Sequence, residues 1–426
     1  MRYAVVVLMF GLVLAIAFLP IVEAVEPGDQ PGLEAPPVAI CPLVQVGDRQ
    51  SRVSVLSSVD GEGRLSSFSS GSETGVVEFM TGASGAVTIP GAETGAVGPA
   101  GGLVEMPSET TAAGVILSGP ETWAAEACAD IPTGQAFISG GTTVSESFFE
   151  IQLINPYAGE ATVNLTVATE TGLESDARFD AVIVPALSTI TRDLTQIIPG
   201  RESISVNIET TRGSVLAFGR QTTEGEVGLW RAVEPAQEWW LPVPPGGGLK
   251  QMRIATAEAS QVEYQVDLYG PDGFVEAHDA GVIDARGAIT VPLAAITAEA
   301  IGVKVIATAP VVPALKIDSP QGLAWTTASP VEAPVWLLPG ARSPSRGSGS
   351  IVVLNSGIEP VNVSIRALAD TTQSQDLELA AESVAVVDLV AAHGYRVESS
   401  GPVTALWVAE VDGAGSAAIG IPLQDE

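Results

Sequence analysis

The side chains that most often carry enzyme chemistry are scarce or isolated in this chain. It has two histidines, His278 and His393, which lie far apart in the sequence. A zinc site or a Ser-His-Asp triad needs a histidine placed among partner side chains. The motifs HExxH, CxxC, GxSxG and Walker A do not occur. We therefore predict that the protein is not an enzyme of the common hydrolase, redox or nucleotide-binding classes.

Carboxylates are the one chemically active class in excess. A glycosidase needs only two of them facing across a cleft, and Glu174, Asp176 and Asp180 cluster in the segment TGLESDARFD. Acidic turns often contain such clusters without catalysis, so a carboxylate-based hydrolase ranks third among the functions. Asp193 and Asp388 precede leucines at equivalent places in two repeats, and we predict that both are structural residues facing solvent.

Oxygen-rich turns raise the separate question of calcium. They occur at Asp60-Gly61-Glu62, Asp272-Gly273 and Asp412-Gly413. None has the spacing of an EF-hand loop, and Asp-Gly is also an ordinary hairpin turn. We expect no cofactor and leave calcium open at these turns.

Two cysteines, Cys41 and Cys128, are the only ones in the chain. Disulfides are typical of exported proteins, so we predict a bridge between them that brackets the first module. No histidine lies near either cysteine in the sequence, which argues against a catalytic thiol.

Tryptophans are the remaining candidates for ligand contacts. Trp239 and Trp240 occur in WWLP, and Trp336 occurs in VWLLP. Adjacent residues of a strand point to opposite faces, so either Trp239 or Trp240 should be exposed unless a neighbouring module covers it. An exposed indole can stack on a sugar or anchor a protein partner, and a buried one packs an interface. We predict a ligand or interface role for all three.

Charge and the N-terminal segment both indicate export. The formal net charge is −31, with only three lysines, so nucleic-acid binding is not expected. In residues 1–24, Arg2 precedes a long apolar stretch that ends at Val22-Glu23-Ala24. This is the pattern of a signal peptide, and about 20 apolar residues can also span a bilayer. We expect a cleaved signal peptide or a single N-terminal membrane anchor, and an extracellular or cell-envelope location.

Internal repeats recur at a spacing of about 100 residues, the mark of one supersecondary unit in tandem. Phe149–Val167 and Ile351–Ile365 are clear copies, and Met252–Leu268 is a weaker one whose turn, at Ala257-Glu258-Ala259, differs in sequence. Within each copy, apolar and polar residues alternate with the period of a half-buried strand, as Phe149, Ile151 and Leu153 do with Glu150 and Gln152.

Seven or so short strands per unit, with turns between them, predict an all-β protein of tandem immunoglobulin-like sandwiches; a β-propeller is the alternative. We place a Pro-rich linker at 25–40, a divergent module at 41–140, and sandwich modules at 141–242, 250–340 and 348–426. The Pro- and Gly-rich segments Pro242–Gly248 and Ala341–Ser350 are predicted to separate modules.

Several short motifs carry a resemblance to a known family. They are the N-terminal apolar segment, Cys41-Pro42, the WAAEAC run at Trp123–Cys128, the LINP turn at Leu153–Pro156 and the strand at Gly401–Ala405. With these motifs the chain resembles the DUF5719 family of uncharacterised secreted actinobacterial proteins. The resemblance implies an extracellular or envelope location and supplies no catalytic residues.

Together these observations predict an exported, non-enzymatic structural or interaction protein of the cell envelope, with an envelope protein or polysaccharide as partner. The alternative is an extracellular carbohydrate-binding protein that uses exposed tryptophans.

Overall fold

The alternation of apolar and polar residues predicted short strands, and the computed structural model of the protein consists almost entirely of antiparallel strands. It describes residues 38–46, 49–57, 60–82, 86–94, 98–106, 108, 111–118, 123–129, 134–224, 226–244, 249–293, 301–319, 322–329, 332–339, 347–368, 374–390, 394–411 and 414–423. All of them lie in one unit, Pro36–Glu426. The predicted signal or anchor segment and most of the predicted 25–40 linker lie outside these ranges. Within them, no helix has the length and apolarity that a membrane span requires.

The strands group into four modules. Module 1 contains β1 (Val38–Val46), β2 (Arg49–Ser57), β3 (Gly61–Ser69), β4 (Ser72–Thr81), β5 (Ala86–Pro90), a 3-10 helix (Gly91–Thr94), β6 (Gly98–Glu105), β7 (Thr111–Ser118) and β8 (Trp123–Ala127). Module 2 contains β9 (Gln135–Ser139), β10 (Ser147–Asn155), β11 (Ala161–Thr169), β12 (Gly172–Glu174), β13 (Val182–Val184), β14 (Ser188–Asp193), helix α1 (Leu194–Ile197), β15 (Ile204–Arg212), β16 (Leu216–Thr223) and β17 (Glu226–Arg231).

Each of the two C-terminal modules contains one long strand, of 19 residues in module 3 and 18 in module 4. Module 3 contains β18 (Ala236–Val243), β19 (Leu249–Ala255), β20 (Val262–Gly270), β21 (Gly273–Ile283), β22 (Ala288–Pro292), β23 (Ile301–Ser319) and β24 (Gly322–Thr327). Module 4 contains β25 (Ala333–Pro339), β26 (Gly347–Asn355), β27 (Val361–Leu368), β28 (Ser374–Leu379), β29 (Ser383–Val390), β30 (Gly394–Val411), β31 (Ala414–Ile419) and β32 (Ile421–Leu423).

All four modules share one topology. In module 1 the strand order is β4-β3-β6-β1 on one side and β5-β2-β7-β8 on the other. Module 2 repeats this as β12-β11-β15-β9 and β14-β10-β16-β17. In modules 3 and 4 the single strands β23 and β30 run through both sheets. We call the sheet with a module's first strand the first-strand sheet, and the sheet with its second strand the second-strand sheet.

The two sheets of a module enclose a shared apolar core. In module 2, Phe149 and Ile151 of β10 pack in one cluster with Val163 of β11 and Val206 of β15. The predicted all-β, immunoglobulin-like sandwich is confirmed, including for the divergent first module. The described residues contain no propeller.

The module boundaries differ from those predicted, each lying one strand earlier. Strand β9 pairs with β15, β18 with β23, and β25 with β30, so each of these first strands belongs to the module that follows it. The described parts of the two Pro- and Gly-rich segments, 242–244 and 347–350, lie at the end of a first strand and at the start of a second strand.

The repeated turn after the second strand is held by one buried side chain. Asn155 and Asn355 each accept a hydrogen bond from the backbone two residues on, at 3.0 Å. The Asn355 amide also donates to the carbonyl oxygens of Glu359 (2.8 Å) and Ala380 (2.7 Å), which ties this turn to a later one. In module 3 the turn does differ, because Thr256 takes this place and donates to Pro310 at 3.0 Å.

The modules contact one another through their second-strand sheets. The last strand of that sheet, which is β8, β17, β24 or β31 according to the module, contacts its counterparts in two other modules, so the contacts run 1–2–3–4 and back to 1. An aromatic stack lies in this region: Trp230 of β17 stacks on Trp325 of β24 with ring centroids 4.8 Å apart. The chain is therefore a closed cycle of modules rather than an open row.

Module 1 covers one strand face of module 2 that the sequence predicts to be exposed to solvent. Glu150 and Gln152 alternate with the core residues of β10, and alternation predicted that they face water. In the structure they are 4% and 0% exposed. The reason is that β10 and β14 of module 2 contact β6 of module 1, so the second-strand sheet is buried on both faces.

Glycines in the first-strand sheet receive side chains of the next module. A Cβ added to Gly302 would lie 2.4 Å from Leu354 Cδ1, and one added to Gly394 would lie 2.4 Å from Leu56 Cδ2. Gly101 has the same relation to Ile154, at 2.7 Å from Cγ2. The Gly394 contact joins module 4 to module 1 and completes the cycle.

We predict that Gly394→Ala weakens the closure between modules 4 and 1. Leu56 is fully buried, so it cannot turn away without displacing its neighbours, and such overpacking costs about 1–3 kcal/mol. Urea unfolding should show this loss, and Leu56→Ala in the same chain should restore part of it. Gly159→Ala, where an added Cβ meets nothing within 4 Å, should have little effect. Equal stabilities of the two alanine variants would contradict the prediction.

The disulfide gives a second prediction. Cys41 and Cys128 form the bridge with a sequence separation of 87, beside a backbone pair in which Ile40 donates to Ala129 at 2.8 Å. Replacing both cysteines by alanine should lower the free energy of unfolding by up to about 4–5 kcal/mol, because the unfolded chain gains freedom. Comparing denaturation midpoints of the variant and the oxidised protein tests this. A midpoint that does not move would show that the bridge adds no stability.

Candidate functional site

Three open grooves occur on the outer faces of first-strand sheets. The module 1 groove encloses about 550 Å³, the module 2 groove about 610 Å³ and the module 4 groove about 510 Å³. Their polar linings are Glu62, Arg64, Glu78 and Glu105 in module 1; Gln135, Thr166, Asn207, Glu209, Thr210 and Arg286 in module 2; and Asn362, Ser364, Asp376, Glu378, Glu398, Ser399 and Ser400 in module 4.

Strand register shows that the three grooves occupy equivalent places. Each contains a glutamate on the sixth main strand of the module, opposite a polar residue of the third strand. The pairs are Arg64 with Glu105, Asn164 with Glu209, and Ser364 with Glu398. Module 3 has Ile306 opposite Gln265 instead, and Ile306 is 38% exposed. The repeat therefore presents the same surface several times with different side chains.

The glutamates were not singled out from the sequence. A signal was present, since Ile204–Glu209 alternates and places Asn207 and Glu209 on its polar face. Aligning the polar positions of all four modules would have shown that the glutamate recurs. Only the pairing of the third and sixth strands shows that these residues share one face.

The predicted tryptophan sites are all buried. Trp239 and Trp336 are 0% exposed, and each indole N–H donates to a carbonyl oxygen of β23 or β30, Val311 or Val403, at 2.8 Å. Trp240 is 3% exposed because it packs in the apolar cluster of module 4. The prediction of exposed tryptophans for sugar binding is wrong, since the neighbouring module covers the face that would have been free.

Trp240 also anchors a charged contact. The Lys304 ammonium lies 4.5 Å from the centre of its ring and 2.8 Å from Glu238. The indole N–H donates to Glu238 at 3.2 Å, and Tyr269 packs on the ring at 5.2 Å. Trp240 and Tyr269 belong to the apolar cluster of module 4, so this part of module 3 packs on module 4, which is the second role predicted for Trp240.

The acidic residues that suggested catalysis are used in turns. Glu174 pairs with Arg201 at 2.6 Å, and Asp176 pairs with Arg178 at 2.7 Å, a contact that lowers the Asp176 pKa to about 2. Asp193 caps α1 by accepting from Gln196, and Asp388 is exposed. Such contacts hold loops in place and leave no facing pair of carboxylates among these residues.

Metal binding and histidine chemistry find no support in the described ranges. They contain no group of three or more His, Cys, Asp or Glu side chains that could hold a metal ion. Asp60 and Asp272 are exposed, whereas Asp412-Gly413 lies outside the described residues. His278 contacts Glu276 and the Pro292 carbonyl oxygen, and His393 also lies outside. Calcium stays a prediction.

One carboxyl group is completely buried where modules 1 and 2 meet. Glu126 of β8 is 0% exposed and accepts hydrogen bonds from the backbone N–H groups of Ala127 (2.8 Å) and Arg231 (3.3 Å). Burial raises its pKa from 4.5 to about 7, against the opposing effects of the Arg231 charge and these two hydrogen bonds. Glu150 is a second buried carboxyl group, but it pairs with Arg220 at 2.6 Å.

We predict that Glu126 makes the protein less stable as pH rises. The folded state holds the Glu126 proton more tightly than the unfolded state does, so stability is greatest below about pH 4.5 and falls until about pH 7. The loss is about 3 kcal/mol if the whole shift is expressed. Glu126→Gln should remove this part of the pH dependence in urea unfolding between pH 5 and 8. The exposed control Glu160→Gln should keep it, and identical profiles for both variants would refute the prediction.

Comparison with known proteins gives one family match over part of the chain. No curated protein matches the chain. Among solved structures, an alpha-L-rhamnosidase of Streptomyces avermitilis complexed with L-rhamnose is similar at 8% identity and a TM-score of 0.13. That similarity covers 84% of this chain and 55% of the rhamnosidase chain, and it is too low to support an argument about fold or function.

The family match covers the middle of the chain. It includes two of the motifs noted in the sequence, Trp123–Cys128 and Leu153–Pro156. The motifs Cys41-Pro42 and Gly401–Ala405 lie outside it. Residues 121–319, which include β8 through β23, match the model of a family of unknown function, DUF5719.

Proposed function

We propose that the protein is a non-enzymatic interaction protein of the cell envelope that presents several equivalent binding surfaces to one partner. The observation that carries this proposal is the recurrence of a polar groove at the same register position in modules 1, 2 and 4. Sites repeated on linked modules bind a repetitive partner with an avidity that exceeds the affinity of any one site.

The structural contacts of the reactive side chains support the proposal that the protein is not an enzyme. Cys41 and Cys128 are bridged, the indoles of Trp239 and Trp336 bond to backbone, and Glu150 is neutralised by Arg220. These groups hold the sandwiches together. The groove carboxylates lie on open surfaces. Active sites commonly close around the substrate and exclude water, and these surfaces do not.

The envelope location rests on the sequence. The N-terminal apolar segment, the disulfide and the net charge of −31 are all typical of exported proteins. Envelope polymers and surface-protein arrays are repetitive, so they suit a chain with repeated binding surfaces. Membership of secreted actinobacterial proteins, which the family resemblance implied, is part of this proposal.

Co-sedimentation of the purified exported chain with isolated cell envelope tests the proposal. We expect saturable binding that falls a few-fold when one of Glu105, Glu209 and Glu398 is changed to Gln, and at least tenfold in the triple variant, because avidity is lost.

A matched triple variant supplies the control. Glu160, Glu234 and Glu359 are exposed carboxylates outside the grooves, and changing all three to Gln removes the same charge. Equal binding by the two triple variants would refute a role for the grooves. Release of soluble sugar or peptide from the envelope during incubation would refute the non-enzymatic assignment.

A further inference from the structure

The module 2 groove differs from the other two in having walls from two modules. Its floor is formed by β9, β11 and β15, with Gln135, Thr166, Asn207 and Glu209. Its far side contains Ala257 and Arg286, which belong to turns of module 3. At about 610 Å³ it has the size of a small-molecule site, but it lacks the apolar lining that drug-like ligands need.

The two walls are held at a fixed spacing. Arg253 of module 3 donates through Nη2 to the Glu202 carbonyl oxygen at 2.9 Å, and Ser139 of module 2 contacts the Arg253 carbonyl oxygen at 3.4 Å. Below them the indoles of Trp230 and Trp325 stack across the same junction. A groove with rigid walls requires little ordering when a ligand binds.

The floor presents amide groups with hydrogen-bonding capacity left over. Gln135 Nε2 donates to Asn207 Oδ1 at 2.9 Å, which aligns the two side-chain amides. The side-chain oxygen of Gln135 (Oε1) and the side-chain amide hydrogens of Asn207 (on Nδ2) have no partner among the described residues. Each amide therefore offers a donor or an acceptor, and a sugar hydroxyl can act as both. Glu209 and the Thr166 hydroxyl extend this polar floor.

The far wall contributes a positively charged side chain, Arg286. Arg286 is exposed, and no ion pair in the described part of the chain includes it. Its backbone has a left-handed conformation, with φ 52°, and its N–H donates to the Glu258 carbonyl oxygen at 2.8 Å, so the turn that carries it is fixed. A guanidinium group without a partner, beside amides with free hydrogen-bonding groups, suits a carboxylate on a hydroxyl-rich ligand.

We propose that this groove binds an acidic oligosaccharide, with its hydroxyl groups on Gln135, Asn207 and Glu209 and its carboxylate on Arg286. The inference rests on the proposed function, because it names the partner of one of the repeated surfaces. The chemistry is non-covalent recognition only. An uncharged glycan would use the floor but not Arg286, so it should bind more weakly.

Isothermal titration calorimetry with the purified full chain tests this. The probes are an oligogalacturonate and a malto-oligosaccharide of the same length. We expect the uronate to bind at least tenfold more tightly. Gln135→Ala and Arg286→Gln should each weaken uronate binding about tenfold, and Arg286→Gln should remove the preference for the uronate.

Matched controls lie outside the groove. Gln375→Ala and Arg212→Gln change exposed residues of the same types and should leave binding unchanged. No binding of either probe, or equal binding of both by the unmodified chain, would overturn the proposal. If the chain still sediments with envelope while neither probe binds, this inference fails and the proposed function stands. Failure of both assays would remove both.

Discussion

The burial of the second-strand sheets on both faces is the constraint on which the rest of the structure depends. One face of each sheet packs on the other sheet of its own module, and the opposite face of β10 and β16 contributes Ile154, Leu216 and Phe218 to the core of module 1. An open row of such modules would leave one sheet uncovered at its end, and repeat proteins normally need a polar cap there. Contacts between β8 and β31 remove that need, because the second-strand sheet of module 1 packs on module 4.

Close approach between modules follows from this constraint. The glycines of β6, β23 and β30 accept leucine or isoleucine side chains of the following module, and a larger residue would separate the sheets. In modules 1 and 3 the glycine lies opposite an aromatic residue of the neighbouring strand, Phe68 opposite Gly101 and Tyr269 opposite Gly302.

The proposed function uses the surfaces that the interfaces leave free. Tryptophans, cysteines and several carboxylates lie in the cores and the junctions. The surface that varies between modules is the part of the outer face of each first-strand sheet that the next module leaves uncovered. Equivalent positions there carry Arg64, Asn164, Gln265 or Ser364. A framework kept constant by packing and a face with changing polar residues agree with the binding role proposed above.

The sequence by itself determined the strands, three of the four repeats and the disulfide partners. Alternation such as Val361–Ala367 reports which residues of a strand point the same way, and a period of repeated motifs reports how often the unit recurs. It could also predict the turn of module 3 as different, since the residues of that turn are local.

Only the tertiary structure decided which faces are wet and which modules meet. Gln152 alternates with the core residues of its strand, and Trp240 follows the buried Trp239, so both patterns predict exposure. A neighbouring module covers both residues. The module boundaries moved by one strand for the same reason, since β9, β18 and β25 find their partners far along the chain. Local patterns record the direction of a side chain, whereas burial depends on what a distant segment places against it, and that information exists only in the packed chain.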